Sequence, residues 1–302
     1  MEIQYPSGYE GCQSVSEAES GVLYIVATPI GHLDDIGARA LRVLAEVDVI
    51  AAEDTRHSAR LLRHYGIATP MVALHEHNER AQAPRVLERL RGGAAVALVT
   101  DAGTPLISDP GFHLVRLAQE ADVRVVPVPG PSAIVAALCA SGQPVDRFAF
   151  EGFLPPRAGP RAARLAELAA EPRTLIFFEA PHRVADALRA MAEAFGAARE
   201  ASYCRELTKL HETVRRMPLG ELAAWVRGDG EQQLGEIVIV VQGAPAAGAD
   251  EAEARRVLEM LLEELPLKRA AALASRLTGV SRNVLYAWGV EGKGTDRSDD
   301  GQ

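Results

Sequence analysis

Two apolar segments that each break into a loop rich in glycine and proline constrain the fold of this chain most. The run Ala94–Val99 leads into Thr100–Gly111 (TDAGTPLISDPG), and Val123–Val126 leads into Pro127–Ser132 (PVPGPS). Such runs are typical of buried strands that open into turns at their carboxyl ends. In open parallel sheets ligands bind just outside those ends, and glycine lets the backbone come close to them. The pattern predicts a small-molecule site built largely from main chain; two ordinary strand–helix turns are the alternative.

Short apolar strands alternate with amphipathic helices along most of the chain. This alternation predicts an α/β protein with a parallel sheet in residues 21–143 and a second α/β domain with a mixed sheet in residues 144–243. In the second domain we expect a strand at Ser202–Arg205, a helix at Leu219–Val226 and a strand at Glu236–Val241.

The two ends of the chain differ from these domains. Residues 1–20 contain four glutamates and no basic residue, which favours a disordered leader over a secretory signal. Residues 251–292 are predicted to form a small helical appendage, with two short helices at Lys268–Leu277 and Arg282–Trp288 around a glycine turn.

Composition narrows the class of protein. A chain of 302 residues with 48% hydrophobic residues fits about two globular domains. We expect no membrane span, because no apolar stretch reaches the roughly 18 residues that one needs. The three cysteines are far apart and form no metal-binding or disulfide pattern, which favours a reducing, cytoplasmic location.

The net charge of -9 argues weakly against nucleic acid as a partner, but local charge can differ from the total. Two basic segments are candidates for binding phosphate, and the alternative for each is a solvated helix face. The candidates are Arg157, Arg161 and Arg164 in the second domain and Lys268, Arg269, Arg276 and Arg282 in the appendage.

Several common site motifs are missing from the sequence. It has no G-x-G-x-x-G after the first strand, no P-loop and no G-x-S-x-G elbow, which disfavours dinucleotide dehydrogenases, P-loop NTPases and α/β-hydrolases. The segment His75–Glu79 (HEHNE) lacks metal-site spacing, so no metal is expected. Glu179 and the segment Cys204–Lys209 close two further strands, where charges either line a cleft or form surface ion pairs.

A set of segments in a fixed order resembles a known family. From Gly21 to Gly243 the chain reads TPIGHLDDI, AAEDTR, HEHNE, DAGTPLISDPG, VPGPSA, FEGFLP and CRELTKLHET, and LPLKRAAALASRLTGVSRNVLY follows from Leu265. These segments are similar to those of the ribosomal RNA small subunit methyltransferase I family, within the tetrapyrrole methylase superfamily. Relatives usually have Asn where this chain has His32.

The resemblance implies S-adenosylmethionine bound in a cleft between two α/β domains. It implies transfer of a methyl group to a cytidine ribose 2′-hydroxyl of 16S ribosomal RNA in the small subunit, no metal, and pairing as a homodimer. The positions that match the family's cofactor contacts are Pro29, Ala102, Gly103, Thr104, Ile107, Ser132, Ala133, Phe178 and Leu207. We expect Gly103→Val to lose cofactor binding and to keep nearly the same melting temperature.

The catalytic assignments rest on chemistry and position. Asp101 and Glu179 are candidate carboxylates for a base or for contact with the sulfonium, because a hydroxyl is a poor nucleophile. Arg205 and Lys209 are candidates for holding an RNA phosphate or the developing oxyanion.

Two other classes of function stay open. One is a tetrapyrrole C-methyltransferase with the same fold, which would have no evident use for the basic appendage. The other is a non-catalytic ribosome-binding protein with an inactive cofactor cleft, which the intact loops disfavour.

Overall fold

The structure is a computed structural model that describes residues 18–244 and 251–295; most of the predicted leader lies outside these ranges. Two five-stranded sheets form its body, so the predicted α/β class with two sheet domains is confirmed. None of the helices in the described ranges combines the length and the apolar character that a membrane crossing requires.

The first sheet is entirely parallel, with the strand order β3-β2-β4-β1-β5. Its strands are β1 (Val22–Val26), β2 (Val49–Ala52), β3 (Met71–Ala73), β4 (Val96–Val99) and β5 (Arg124–Val128). Because all five strands run the same way, the loops that follow them lie along one edge.

Helices cover both faces of this sheet, which is why its central strands are apolar on both sides. They are α1 (Ala38–Glu46), α2 (Thr55–His64), α3 (Glu79–Arg91), α4 (Phe112–Glu120) and α5 (Ala133–Ser141). One apolar cluster, which includes Leu44 and Ile50, fills one side, and a second, which includes Leu23 and Leu98, fills the other. Asp54 caps α2 by accepting the N–H of Arg56, and Gly66 in the left-handed region follows its end.

The second sheet is mixed, with the order β6-β7-β10-β8-β9 and one parallel pair, β6 with β7. Its strands are β6 (Phe148–Phe153), β7 (Thr174–Glu179), β8 (Glu200–Arg205), β9 (Thr213–Pro218) and β10 (Ile237–Val241), and its helices are α6 (Ala158–Leu168), α7 (Val184–Phe195) and α8 (Leu219–Gly228). Strand β9 was missed by the sequence analysis. It is an edge strand with the sequence TVRRMP, and its two exposed arginines conceal the strand pattern.

The two sheet domains meet through an apolar layer. Helix α5 of the first domain packs on β8, β9 and β10 of the second. Ile30, Ile134 and Leu138 join Ile176 and Val238 in one buried cluster. This layer fixes the loops of the first sheet against one face of the second.

The predicted appendage is a bundle of three helices, α9 (Glu251–Glu264), α10 (Leu267–Thr278) and α11 (Arg282–Thr295). Small residues of α10 pack with Leu258 and Leu285 in a core of its own. Gly279 in the left-handed region ends α10, as the predicted glycine turn requires.

Candidate functional site

A cavity of about 430 Å³ lies between the two sheet domains. The loops after β4 and β5 form one wall, and the face of the second sheet with the segment after β8 forms the other. This first cavity has the size of a small-molecule site.

Backbone contacts hold the loop after β4 against the turn after β1. Thr28 and Gly103 exchange two N–H···O bonds of 2.9 and 3.0 Å. Thr104 Oγ1 donates to the carbonyl of Pro131 at 3.0 Å, which joins this loop to the loop after β5. Leu106 and Ser108 adopt positive φ angles of 74° and 67°, a cost that is typical of functional loops.

Gly103 itself has a φ of +80°, and a Cβ there would lie 3.3 Å from Ile30 Cγ2. A larger residue would therefore strain the backbone as well as fill space. The strain contradicts the expectation that Gly103→Val keeps nearly the same melting temperature, because it lowers the stability of the folded state.

The far end of the same loop is fixed by Glu79 of the HEHNE segment. Glu79 Oε1 accepts the N–H groups of Gly111, His113 and Leu114 at 2.8–3.2 Å, which caps α4. In the described part of the chain no cluster of His, Cys, Asp or Glu has metal-site geometry. The structural role of HEHNE is thus to anchor the loop that lines the cavity.

Five carboxylates line the first cavity, and three of them, Glu53, Asp101 and Asp109, belong to the first domain. Glu53 Oε2 accepts from Thr100 Oγ1 at 2.9 Å, and Asp101 Oδ1 accepts from the N–H of Asp54 at 3.1 Å. Among the described residues no lysine or arginine forms an ion pair with any of the three. Burial, and then the charges of Glu53 and Asp101, raise the pKa of Asp109 to about 6 despite a hydrogen bond from Thr100.

The opposite wall is apolar and aromatic. The ring of Phe178 contacts those of Phe150 and Phe153 edge-on at 4.8 and 5.8 Å between centroids. Burial raises the pKa of the Cys204 thiol to about 12, so this thiol stays protonated and is a poor nucleophile. The wall can pack against a planar ring.

The segment after β8 closes the cavity and is held in a strained conformation. Glu206 and Thr208 have φ angles of 52° and 63°. Lys209 Nζ lies 3.0 Å from Glu206 Oε1 and 3.2 Å from Glu236 Oε2. Burial alone would lower the pKa of Lys209, but these two carboxylates outweigh it and the pKa is raised. The backbone of His32 donates to Thr208 Oγ1 at 3.0 Å, so this segment also contacts the turn after β1.

Eight of the nine residues predicted to meet the cofactor line the first cavity: Ala102, Gly103, Thr104, Ile107, Ser132, Ala133, Phe178 and Leu207. The ninth, Pro29, lies in a second cavity of about 280 Å³, which shares Ile30, Glu236 and the Thr100–Ala102 segment with the first. Ser132 is the N-cap residue of α5 and makes no side-chain capping bond, so the first N–H groups of this helix have no capping partner from Ser132 at the edge of the cavity.

The four predicted catalytic residues do not lie together in the structure. Asp101 lines both cavities, and Lys209 lines the second. Glu179 lies in the wall of the first cavity, but its buried carboxylate pairs with Arg183 at 2.6 Å and accepts the N–H of Ala180.

Arg205 does not reach either cavity, which corrects its predicted role. Successive residues of a strand point to opposite faces, and Cys204 is the one that faces the cavity. The buried Arg205 side chain instead donates to Gln232 Oε1 at 3.2 Å and to the carbonyl of Leu234 at 3.5 Å. It stabilises the connection that precedes β10.

The three predicted RNA-binding arginines in α6 and at its N-cap differ in exposure. Arg157 is exposed, as a phosphate contact requires. Arg161 is 7% exposed and therefore cannot meet RNA at the surface, which corrects its assignment. Arg164 is half-exposed and already pairs with Glu151 and Glu167 at 2.6 and 2.7 Å. In the appendage Lys268, Arg269, Arg276 and Arg282 are all exposed.

Sequence reasoning missed Glu53 and Asp109 as site residues. The signal for both was present, because Glu53 follows β2 and Asp109 lies inside the long loop after β4. The rule that placed Asp101 at the strand-end edge applies equally to Glu53.

Sequence profiles of known families match two parts of the chain. Residues 22–223 match the Tetrapyrrole (Corrin/Porphyrin) Methylases, and residues 248–293 match the RsmI C-terminal HTH domain. Among solved structures, the methyltransferase CobJ covers 74% of this chain and 95% of its own length with a TM-score of 0.57 at 20% identity. Uroporphyrin-III-C-methyltransferase from Thermus thermophilus covers 74% and 94% with a TM-score of 0.52 at 22% identity. These structures share the fold.

Two curated relatives are named ribosomal RNA small subunit methyltransferase I. The protein from Pseudomonas aeruginosa is 58% identical over 278 residues, which are 91% of this chain and 99% of the relative. The protein from Escherichia coli O157:H7 is 51% identical over 280 residues, which are 92% and 98% of the two chains. Identity of this extent, across both sheet domains and the appendage, shows that the chain belongs to the ribosomal RNA small subunit methyltransferase I family of tetrapyrrole methylases.

Proposed function

We propose that this protein transfers a methyl group from S-adenosylmethionine to the 2′-hydroxyl of a cytidine in 16S ribosomal RNA of the small subunit. The observation that carries the proposal is the first cavity, where three carboxylates without cationic partners among the described residues face an aromatic wall. The names of the relatives support ribosomal RNA as the substrate.

The residues of the first cavity fit the chemical groups of S-adenosylmethionine. When bound, this cofactor supplies an electrophilic methyl group on a positively charged sulfur. Glu53, Asp101 and Asp109 provide the negative field that a sulfonium requires. The N-terminus of α5 offers N–H groups to a carboxylate, and Phe178 offers a ring face to an adenine.

Asp101 is the best candidate for accepting the proton of the acceptor hydroxyl. It lines both cavities, and the N–H of Asp54 fixes its carboxylate. Glu53 positions the start of the loop after β4, since its Oε2 accepts hydrogen bonds from Thr100 Oγ1 at 2.9 Å and from the N–H of Asp101 at 3.4 Å.

The appendage supplies the main candidate surface for RNA. Lys268, Arg269, Arg276 and Arg282 are exposed on α10 and α11, on a chain whose net charge is -9. Arg157 adds an exposed cation on the second domain. Phosphate contacts from such residues would bring the ribosomal particle to the cavity in the cytoplasm, where ribosomes assemble.

Transfer of a labelled methyl group tests the proposal. The protein is incubated with S-adenosylmethionine carrying a tritiated methyl group and with small ribosomal particles, and a porphyrinogen serves as the alternative acceptor. We expect label in the ribosomal RNA at one cytidine. The phosphodiester bond next to that cytidine should resist alkaline hydrolysis, because 2′-O-methylation removes the attacking hydroxyl.

The other functions give different results in the same experiment. Label in the porphyrinogen alone would identify a tetrapyrrole C-methyltransferase. Binding of particles without transfer to either acceptor would identify a ribosome-binding protein. Pairing as a homodimer is a separate prediction, which the mass of the protein in solution measures.

A further inference from the structure

The second cavity differs in chemistry from the first. It shares Ile30, Glu236 and the Thr100–Ala102 segment with the first cavity, and it is otherwise lined by the turn after β1, by one side of α2 and by Lys209, which pairs with Glu236. His57 and Arg60 of α2 contribute basic side chains there, whereas no Lys, Arg or His lines the first cavity. The first cavity is therefore suited to a cation, and the basic side chains of α2 in the second cavity are suited to a phosphate.

Arg60 is available for such a contact. It is exposed, and within the described part of the chain it forms no ion pair or side-chain hydrogen bond. Arg56, one turn earlier on the same helix, is by contrast engaged by Asp54 through bonds of 3.0 and 3.2 Å. Lys209 is held by Glu206 and Glu236, so it shapes this cavity more than it supplies free charge.

We propose that the second cavity receives the acceptor nucleotide of the RNA, with Arg60 and His57 contacting its phosphate. This inference rests on the proposed function and adds to it the residues that hold the acceptor. A ribose carries its 2′-hydroxyl and its 3′-phosphate on neighbouring carbons. A cation that binds the phosphate therefore fixes the hydroxyl, and Asp101 in the wall common to both cavities can then meet it.

Charge reversal at Arg60 tests the assignment, with Arg63 as the matched control. Both arginines are exposed on α2, but Arg63 lines neither cavity. For Arg60→Glu we expect the KM for small ribosomal particles to rise about tenfold or more, as loss of a charged hydrogen bond implies. The salt dependence of particle binding should flatten by about 0.7 in logarithmic slope for one lost phosphate contact. Affinity for S-adenosylmethionine, measured by calorimetry, should not change.

Arg63→Glu should leave both KM and the salt slope near the wild-type values, and Arg60→Lys should restore most of the loss. Equal effects of Arg60→Glu and Arg63→Glu would overturn the acceptor assignment and leave the proposed function intact. Wild-type protein that binds S-adenosylmethionine but methylates no particle would overturn the proposed function, and this inference with it.

Discussion

The two walls of the first cavity differ in whether their carboxylates have cationic partners. On the first domain, Glu53, Asp101 and Asp109 have no cationic partner among the described residues. On the second domain, Glu179 pairs with Arg183, and Glu206 pairs with Lys209. Removing one partner of a compensated pair costs stability because it leaves a buried charge alone, whereas grouped charges without partners are typical of sites for a charged ligand. The first wall is therefore the chemical one and the second the supporting one.

The largest effect should follow from a change in the first wall. Asp101→Asn removes the charge and keeps an oxygen that can accept the N–H of Asp54. If Asp101 accepts the proton, the single-turnover rate of methylation should fall about 10²–10⁴-fold, the usual range for a general base. Melting temperature should change little. A rate near wild type would remove Asp101 from the chemistry and would weaken the contrast between the walls.

Substitutions in the second wall should change the stability of the folded protein. Arg183→Met leaves the buried carboxylate of Glu179 without its cation, which should cost about 3 kcal/mol of unfolding free energy. The double variant Glu179→Gln/Arg183→Met should recover most of the loss. Arg56→Met, which breaks an exposed pair, serves as control and should have little effect. Thermal unfolding of the four proteins measures this, and equal losses in the single and double variants would contradict it.

The first wall was also the easier one to predict from the sequence. Its strands are buried on both faces and end in glycine and proline, so apolar runs and turn residues locate the edge where the loops meet. The resemblance then supplied the family and the cofactor positions. The interdomain packing that completes the cavity has no comparable local signal.

The second wall was harder to predict from the sequence, because the residues that line it are set by the side of the sheet to which each strand residue points. The alternation in β8 turns Cys204 to the cavity and Arg205 away from it, and nothing in CRELTK fixes that choice. Strand β9 lacks an apolar face, so its pattern was hidden. The sequence places Arg161 at the surface, whereas the structure buries it, because burial of an arginine depends on tertiary packing that the sequence of α6 alone does not reveal.

A smaller effect should separate backbone strain from ligand space in the loop after β4. Gly103→Ala places a Cβ at a φ of +80°, which costs about 1–2 kcal/mol in the left-handed region. Gly66→Ala is the matched control, because Gly66 has a φ of +67° and no atom within 4 Å of the added carbon. Both variants should melt at lower temperature, and only Gly103→Ala should also bind S-adenosylmethionine more weakly. Unchanged affinity in Gly103→Ala would show that the loop does not contact the cofactor.

The smallest effect is a difference in the pH dependence of stability between the two walls. The pKa of Asp109 is raised from 3.8 to about 6, first by burial and then by Glu53 and Asp101. The folded state therefore binds the proton more tightly than the unfolded state does. Its contribution to stability is fully present below about pH 4 and is lost as the pH rises through 6. Asp109→Asn should accordingly melt above wild type at pH 8, and this advantage should shrink at pH 5.

Glu206 on the second wall should show the opposite sign. Burial would raise its pKa, but hydrogen bonds from the N–H of Glu236 and from Lys209 outweigh burial and lower it below the usual 4.5. Its contribution is therefore present above pH 4.5 and is lost only as the pH falls through the lowered pKa. Glu206→Gln should melt below wild type by the same margin at pH 8 and pH 5, and the margin should shrink below pH 4.5. If both variants shifted in the same direction with pH, the two walls would not differ in how their charges are compensated, and Asp109 would be an ordinary surface carboxylate.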